Sequence, residues 1–168
     1  MSHRISPPRL RPRRPGAALP AGACDCHAHV FAPAGVYPCA ERRPYTPAGG
    51  TGLAAYRATL DGTGVPRAVL VHSNIYGPDN RATTDALAEM GGAFRGIALI
   101  RPQIDDGALR ALAAVGMRGI RINLEFPGET VPDEGNLVDW LAEVVADEAG
   151  RAQVLVRNPA PLYGFDVP

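Results

Sequence analysis

Short aliphatic runs alternate with amphipathic segments along most of the chain after residue 22. Four of these runs are rich in small or branched apolar residues, and we predict that they are β-strands. They are residues 23–30, 67–73, 96–101 and 119–124. The middle two are almost continuously aliphatic, which is typical of parallel strands buried on both faces.

The segments between these runs have apolar residues at helical spacing, polar residues at their starts and glycines at their ends. The predicted helices are residues 51–61 ending at Gly62, a helix from Asn80 to Gly91-Gly92, a helix from Asp105 or Asp106 to Gly116, and a helix from Asn136 to Gly150. A polar loop at residues 125–135 interrupts the alternation. The alternation of strands and helices predicts an α/β fold with a parallel sheet of about four βα units.

Composition narrows the function classes. The chain has 168 residues, no lysine and a net charge of zero, so no lysine is available as a Schiff base or a metal bridge. Residues 1–20 are rich in arginine and proline without apolar periodicity, and we predict a disordered tail. Residues 21–168 are predicted to form one domain.

Several classes of protein are disfavoured. The basic tail carries no aromatic residues for stacking, so we expect no nucleic acid partner. No stretch approaches the roughly 20 apolar residues of a membrane span, so we expect no membrane association. Three cysteines do not make a disulfide framework, and the predicted location is the cytoplasm.

Two histidines stand two residues apart at the end of the first predicted strand, in the sequence Cys-Asp-Cys-His-Ala-His at residues 24–29. Because side chains alternate along a strand, Asp25, His27 and His29 are predicted to share one face. Such a face can bind a metal or polarise a carbonyl group. A pair of surface histidines is the alternative.

The same alternation predicts that Cys24 and Cys26 lie on the opposite face, among buried residue types. A zinc or redox module made jointly by these cysteines and the two histidines is therefore disfavoured. Asp25 lies further from the strand end than the histidines, and it is expected to orient one of the two imidazoles by contacting it.

The histidine motif resembles the first-strand motif of the amidohydrolase superfamily, in particular the branch that includes 2-pyrone-4,6-dicarboxylate lactonases. Four further segments are similar to signatures of the same branch in the same order, at residues 41–47, 70–80, 116–123 and 158–165. The resemblance implies a (β/α)₈ barrel, which needs about 250 residues. We therefore predict an incomplete TIM-like barrel that has lost roughly its second half near residues 125–135.

The resemblance also implies roles for individual residues. His27 and His29 would bind a metal or polarise the lactone carbonyl, and Tyr45 would donate a hydrogen bond from the first loop. Ser73 and Asn74 would contact the substrate at the end of the second strand, and Arg121 would hold a substrate carboxylate. As alternatives, Tyr45 could be a loop anchor and Asn74 could cap a turn, whereas a buried Arg121 needs a partner.

The resemblance predicts a hydrolase that acts on a small carboxylated lactone or amide by attack of water on a polarised carbonyl. The cofactor would be a divalent metal such as zinc, or none in the lactonase type. Because no histidine follows His72, we expect activity to be lost or impaired, and an inactive remnant that binds a small molecule or a protein is the alternative. The open edges of a half-barrel predict a homodimer.

Overall fold

A computed structural model describes residues 3–4, 15–17, 19–41, 43–101, 103–121 and 145–158. The chain divides into two units, residues 1–123 and 124–168, and each is described by itself. The predicted loop at residues 125–135, most of the helix predicted from Asn136, the signature at residues 159–165 and most of the predicted disordered tail lie outside the described residues. Those expectations stay predictions.

The first unit alternates strands and helices, as the sequence predicts. Its elements are β1 (His3–Arg4), β2 (Cys24–Ala28), β3 (Tyr45–Thr46), α1 (Leu53–Thr63), β4 (Arg67–Val71), α2 (Arg81–Met90), β5 (Phe94–Leu99), α3 (Asp106–Ala114) and β6 (Met117–Arg121). Strands β2, β4, β5 and β6 form a parallel sheet in that order, and β1 pairs with β3. The predicted α/β fold with four parallel strands is therefore confirmed. Within the described residues, no helix has the length and apolar character needed to cross a membrane.

The hydrophobic core lies between the sheet and its helices. The strand residues in it are Ala68, Leu70, Phe94, Ala98 and Met117, and the helix residues are Leu60, Ala86 and Leu87. These strand positions are two or four apart within β4 and β5, which defines one face of the sheet as the helix-covered face. The other face of β4 and β5 carries Val71 and Leu99, both buried.

Gly96 lies on β5 where α2 and β6 pack against it. A Cβ atom at this position would stand 2.7 Å from Leu87 Cδ1 and would also overlap the sulfur of Met117. Both neighbours belong to the core. A residue without a side chain therefore lets the helix approach the strand.

Helix α1 ends two residues later than predicted. Gly62 lies inside the helix, and the helix ends at Thr63. Gly64 follows with φ 80°, and its N–H donates to Leu60 O at 2.7 Å. The prediction that Gly62 ends the helix is wrong, because Gly62 keeps a helical backbone and Gly64 is the residue that takes the left-handed conformation.

Asn80 precedes α2 as predicted, but its side chain does not cap the helix. The amide nitrogen donates to Leu99 O at 2.7 Å, and the amide oxygen accepts from Leu99 N at 3.0 Å. The helix start is bound instead by Asp79 Oδ1, which accepts from Arg81 N at 3.2 Å. Asn80 therefore links α2 to the end of β5. Helix α3, by contrast, begins as predicted, because Asp105 accepts from Ala108 N at 2.9 Å.

The described part of the second unit contains a short helix, α4 (Glu148–Ala152), followed by a π-helical turn at Gln153–Arg157. The Asp147 side chain caps α4 and accepts from Gly150 N at 2.6 Å. The prediction that Gly150 ends a helix is wrong, because this cap begins a new helix and Gly150 lies inside it.

Candidate active site

The candidate site lies where the parallel strands end. His27 is the penultimate residue of β2 and His29 follows the strand, Ser73 follows β4, and Arg121 is the last residue of β6. Because the carboxyl ends of parallel strands lie at one edge of a sheet, these residues belong to the same edge. Tyr45 reaches the edge from β3.

A β-bulge in β2 decides which residues join the site. Asp25 pairs with Ala68 and Ala28 pairs with Leu70, so three steps along β2 match two steps along β4. Asp25 therefore lies on the helix-covered face, where its Oδ2 accepts from Tyr56 Oη at 2.8 Å. The prediction that Asp25 shares a face with the histidines is wrong, because the extra residue shifts the alternation.

Asp25 positions the backbone of the site rather than an imidazole. Its Oδ1 accepts from His27 N at 3.1 Å. Burial and the hydrogen bond to Asp25 raise the pKa of Tyr56, so the Tyr56 hydroxyl stays a donor at neutral pH. The expected role of Asp25 in orienting a histidine ring is therefore replaced by a role in holding the bulge.

The cysteines are also placed differently from the prediction. Cys24 pairs with Arg67, one residue before the core residue Ala68, so Cys24 lies on the face away from the helices. Ala28 packs against the core, so the next residue, His29, lies on the face away from the helices, as Cys24 does. Cys24 and Cys26 are exposed, because β2 is an outer strand of the described sheet.

His27 and His29 lie together, as predicted, with ring centroids 5.1 Å apart and the rings edge to face. His29 is half-buried, and its Nδ1 is 2.7 Å from Val71 O. A carbonyl oxygen only accepts, so Nδ1 carries the hydrogen. Burial lowers the pKa of His29, with smaller contributions from the charges of His27 and Arg121. His29 is therefore neutral at pH 7, with a lone pair on Nε2.

Arg121 points back toward the end of β4. Its Nη1 donates to His72 O at 3.1 Å, although β5 lies between β6 and β4. The half-buried guanidinium thus has the partner that burial demands. One of its nitrogens is held by this bond, and no other described residue bonds the remaining donors of the planar fork, which has the geometry to hold an anion.

Tyr45 and Ser73 form the third contact at this edge, with Tyr45 Oη 3.1 Å from Ser73 Oγ. The Tyr45 ring packs edge to face against Phe31, with centroids 6.1 Å apart. Phe31 lies next to His29, at a centroid distance of 6.4 Å. The ring and the hydroxyl of Tyr45 are therefore both fixed, as a loop anchor requires. Its hydrogen bond to the substrate stays a prediction.

These contacts converge on three consecutive residues, which we call the β4 post: Val71, His72 and Ser73. Val71 O holds His29, His72 O holds Arg121, and Ser73 Oγ holds Tyr45. The sequence did not predict the β4 post. Two of its three contacts use backbone carbonyl groups, which are the same in every residue type. The aliphatic run that ends at His72 was the available indication.

The His72 side chain fixes the post and takes no part in the site itself. It is fully buried, with Nε2 3.0 Å from Gly77 O and Nδ1 2.9 Å from Thr83 Oγ1. Nε2 therefore carries the hydrogen, and Nδ1 accepts from the threonine. Burial lowers the pKa of His72 to about 4. Both nitrogens of this neutral imidazole are engaged, so it cannot transfer protons at the site.

Asn74 begins the short 3₁₀ turn Asn74–Tyr76, directly after the post. Its Oδ1 is buried and has no hydrogen-bond partner among the described residues. The interpretation of Asn74 as a turn cap is wrong, because a cap would use this oxygen as an acceptor. A role in substrate binding stays a prediction.

The donor set falls short of a metal site. Within the described residues, no group of three or more histidine, cysteine, aspartate or glutamate side chains could hold a metal ion. His27 and His29 supply two imidazoles, half of a four-coordinate zinc site. The nearby Arg121 charge adds repulsion for a cation. The described residues therefore do not fit a tight metal site, and no chemistry is derived through one.

Residues 24–146 match the family model described as amidohydrolase, so the chain belongs to the amidohydrolase family. It is 42% identical over 112 residues to a 2-pyrone-4,6-dicarboxylate hydrolase of Comamonas testosteroni, and 40% identical over 114 residues to a 4-sulfomuconolactone hydrolase of Rhizobium radiobacter. These matches cover 67% and 68% of this chain and 36% and 38% of the relatives. The chain thus spans less than half the length of both relatives.

Solved structures agree with this family. An Agrobacterium tumefaciens protein in its apo form matches with a TM-score of 0.67 and 27% identity, over 88% of this chain and 48% of that one. A probable 2-pyrone-4,6-dicarboxylic acid hydrolase from Acinetobacter baumannii, with citric acid bound, matches with a TM-score of 0.61 and 26% identity, over 74% of this chain and 46% of that one. The parallel sheet is therefore the TIM-barrel type of α/β fold.

Proposed function

We propose that the edge around the β4 post binds a small carboxylated lactone and supports attack of water on its carbonyl group. The observation that carries this proposal is the convergence of His29, Arg121 and Tyr45 on three consecutive residues. The names of the two lactone hydrolases among the relatives favour this substrate class.

Arg121 is the residue for the substrate carboxylate. Its guanidinium is oriented by His72 O, and within the described part of the chain its other donors have no partner. A carboxylate can take two parallel hydrogen bonds from such a fork. Binding there would place the rest of a small lactone between Arg121 and the two histidines.

His29 is the residue for the water. Its Nδ1 donates to Val71 O, and its lowered pKa keeps Nε2 unprotonated at neutral pH. Nε2 can accept a proton from a water molecule that attacks the carbonyl carbon. A neutral His29 cannot also donate to the carbonyl oxygen, so in this proposal that hydrogen bond comes from His27 or from Tyr45.

Turnover by this chain alone should be lost or impaired. The sequence has four histidines, none after residue 72, and His72 has both nitrogens bonded. In this proposal the described edge of the sheet therefore supplies His29 as the base and Arg121 as the carboxylate site. We propose that binding persists there and that fast hydrolysis needs further groups.

The test separates binding from turnover. Titrate the full chain with 2-pyrone-4,6-dicarboxylate by calorimetry, and assay hydrolysis with and without zinc or manganese. Arg121→Lys should weaken binding about 10- to 100-fold, since a charged hydrogen bond contributes roughly 1.5–3 kcal/mol. Arg110→Lys, at an exposed position of α3, is the matched control and should bind normally. Equal binding by the two variants would contradict the carboxylate clamp.

A module that binds without catalysis is the second candidate function. The observation that favours it is the shortage of catalytic donors, since the described residues hold only two imidazoles at the edge. Residual turnover that disappears in His29→Gln, with binding preserved, would support the hydrolase. Binding without any turnover under every metal condition would support the module.

A further inference from the structure

Cys24 and Cys26 form an exposed pair of thiols that the proposed function does not use. Cys24 Sγ donates to Asp25 O and Cys26 Sγ donates to Cys24 O, each at 3.6 Å. Both sulfurs therefore lie against the same short piece of backbone. Burial raises the pKa of Cys24, and the charge and hydrogen bond of the Cys26 thiol raise it further.

A disulfide between these residues requires the strand to bend. Residues two apart on a strand have Cα atoms about 6.6 Å apart, close to the upper limit of about 6.8 Å that disulfides accept, and the Cβ atoms must approach to about 4 Å. The bulge between Asp25 and Ala28 bends β2 at this point.

We propose that Cys24 and Cys26 are a redox-sensitive pair that forms an intrachain disulfide in exchange with a small-molecule disulfide and thereby moves His27. One thiolate attacks the small disulfide, forms a mixed disulfide and releases one thiolate. The second cysteine then attacks the protein sulfur, which forms the Cys24–Cys26 bond and releases the other thiolate. The chain loses two electrons and two protons, and the small disulfide is reduced to two thiols.

The consequence for the site follows from the position of Asp25 between the cysteines. Its carboxylate holds His27 N and the Tyr56 hydroxyl. Closing a ring across Asp25 changes the backbone on both sides of this residue, so the contact to His27 N changes with it. His29 is tied separately to Val71 O and should keep its position.

The experiment uses the full chain with Cys39→Ser, which removes the third exposed thiol. Equilibrate it with a mixture of reduced and oxidised glutathione, then measure free thiols and intact mass. We expect loss of both thiols and of two hydrogen atoms, without a glutathione adduct. Cys24→Ser and Cys26→Ser, each combined with Cys39→Ser, should instead retain an adduct on the remaining thiol. Circular dichroism of the reduced variants checks that all are folded.

A second readout follows the histidines. In the Cys39→Ser chain, the NMR signal of the His27 ring, assigned with His27→Gln, should shift on oxidation and return on reduction, and the His29 signal should shift less. Two free thiols, two stable adducts or linked chains after equilibration would overturn the disulfide. A disulfide that leaves the His27 signal unchanged would overturn its connection to the site.

Discussion

Arg121 and His72 are joined by a hydrogen bond that crosses the whole width of β5. The donor is Arg121 Nη1 on β6, and the acceptor is the backbone carbonyl of His72 just after β4. The bond fixes the Arg121 guanidinium at the edge of the sheet, near the neutral imidazole of His29. A half-buried guanidinium and a neutral imidazole are thus placed together by contacts to one strand end.

The buried imidazole of His72 should make folding stability depend on pH. Its pKa is about 4 in the folded chain and near 6.5 when exposed, so between these values the unfolded chain binds more protons. Stability should therefore be complete above pH 6.5 and fall by roughly 3 kcal/mol as the pH drops to 4. Urea unfolding at pH 7.5, 6 and 5 measures the slope.

The lowered pKa of His29 acts with the same sign. His29→Gln should therefore reduce the slope slightly, and Thr83→Val should change it through His72 alone, since Thr83 contacts its Nδ1. His27→Gln, at an exposed position, is the control. Stability independent of pH over this range would contradict a buried neutral His72.

Asn80 should behave as a structural link and not as a helix cap. Asn80→Ser preserves a good cap but cannot bond both backbone groups of Leu99. It should therefore destabilise the chain by about 1–3 kcal/mol, as much as Asn80→Ala. Asp105→Ser, at a true cap, should cost much less than Asp105→Ala. Asn80→Ser as stable as the parent would refute the link. Urea unfolding gives all four values.

Gly96 should not tolerate even one added methyl group. Its Cβ would overlap Leu87 and Met117, so Gly96→Ala should destabilise by about 1–3 kcal/mol through overpacking. Gly92→Ala is the matched control, because nothing lies within 4 Å of its Cβ position. The melting temperature of Gly96→Ala should be clearly lower than that of Gly92→Ala. Equal melting temperatures would show that Leu87 and Met117 move aside to admit the added methyl group.

We propose that the chain associates through its sheet edges. Within the described residues, β2 and β6 each have one neighbouring strand, and Ile120 on β6 is 52% exposed. Size-exclusion chromatography with light scattering should give twice the chain mass of 17.7 kDa. Ile120→Lys should shift the chain toward the monomer, whereas Val36→Lys, at an exposed loop position, should not. A stable monomer of the unmodified chain would refute the homodimer.

Local patterns predicted the sheet and three helices because the relevant signals lie within a few residues. The aliphatic runs near Leu70 and Ala98 and the cap at Asp105 each act on their own segment. The end of α1 was misplaced because two glycines were available, and only the backbone conformation distinguishes Gly64 from Gly62.

The sequence predicted that several of these residues lie together at one edge of the sheet, but it did not predict the contacts that join them. His27 and His29 lie together and Arg121 has a partner, as expected. The bulge that turns Asp25 away could not be read from side-chain alternation, because one extra residue leaves no mark in the sequence. Asn80 and Leu99 meet across 19 residues, a tertiary contact that no local pattern encodes.

The β4 post has a consequence for divergence among related proteins. Two of its contacts use the carbonyl oxygens of Val71 and His72, which every amino acid possesses. Replacement of the Val71 side chain can therefore leave the placement of His29 intact, provided that the strand keeps its path. His72 differs, because its buried imidazole also bonds to Gly77 and Thr83. Residue identity at position 71 is free to drift while the geometry persists, so an alignment would underrate it. Its importance would show in the length of the strand.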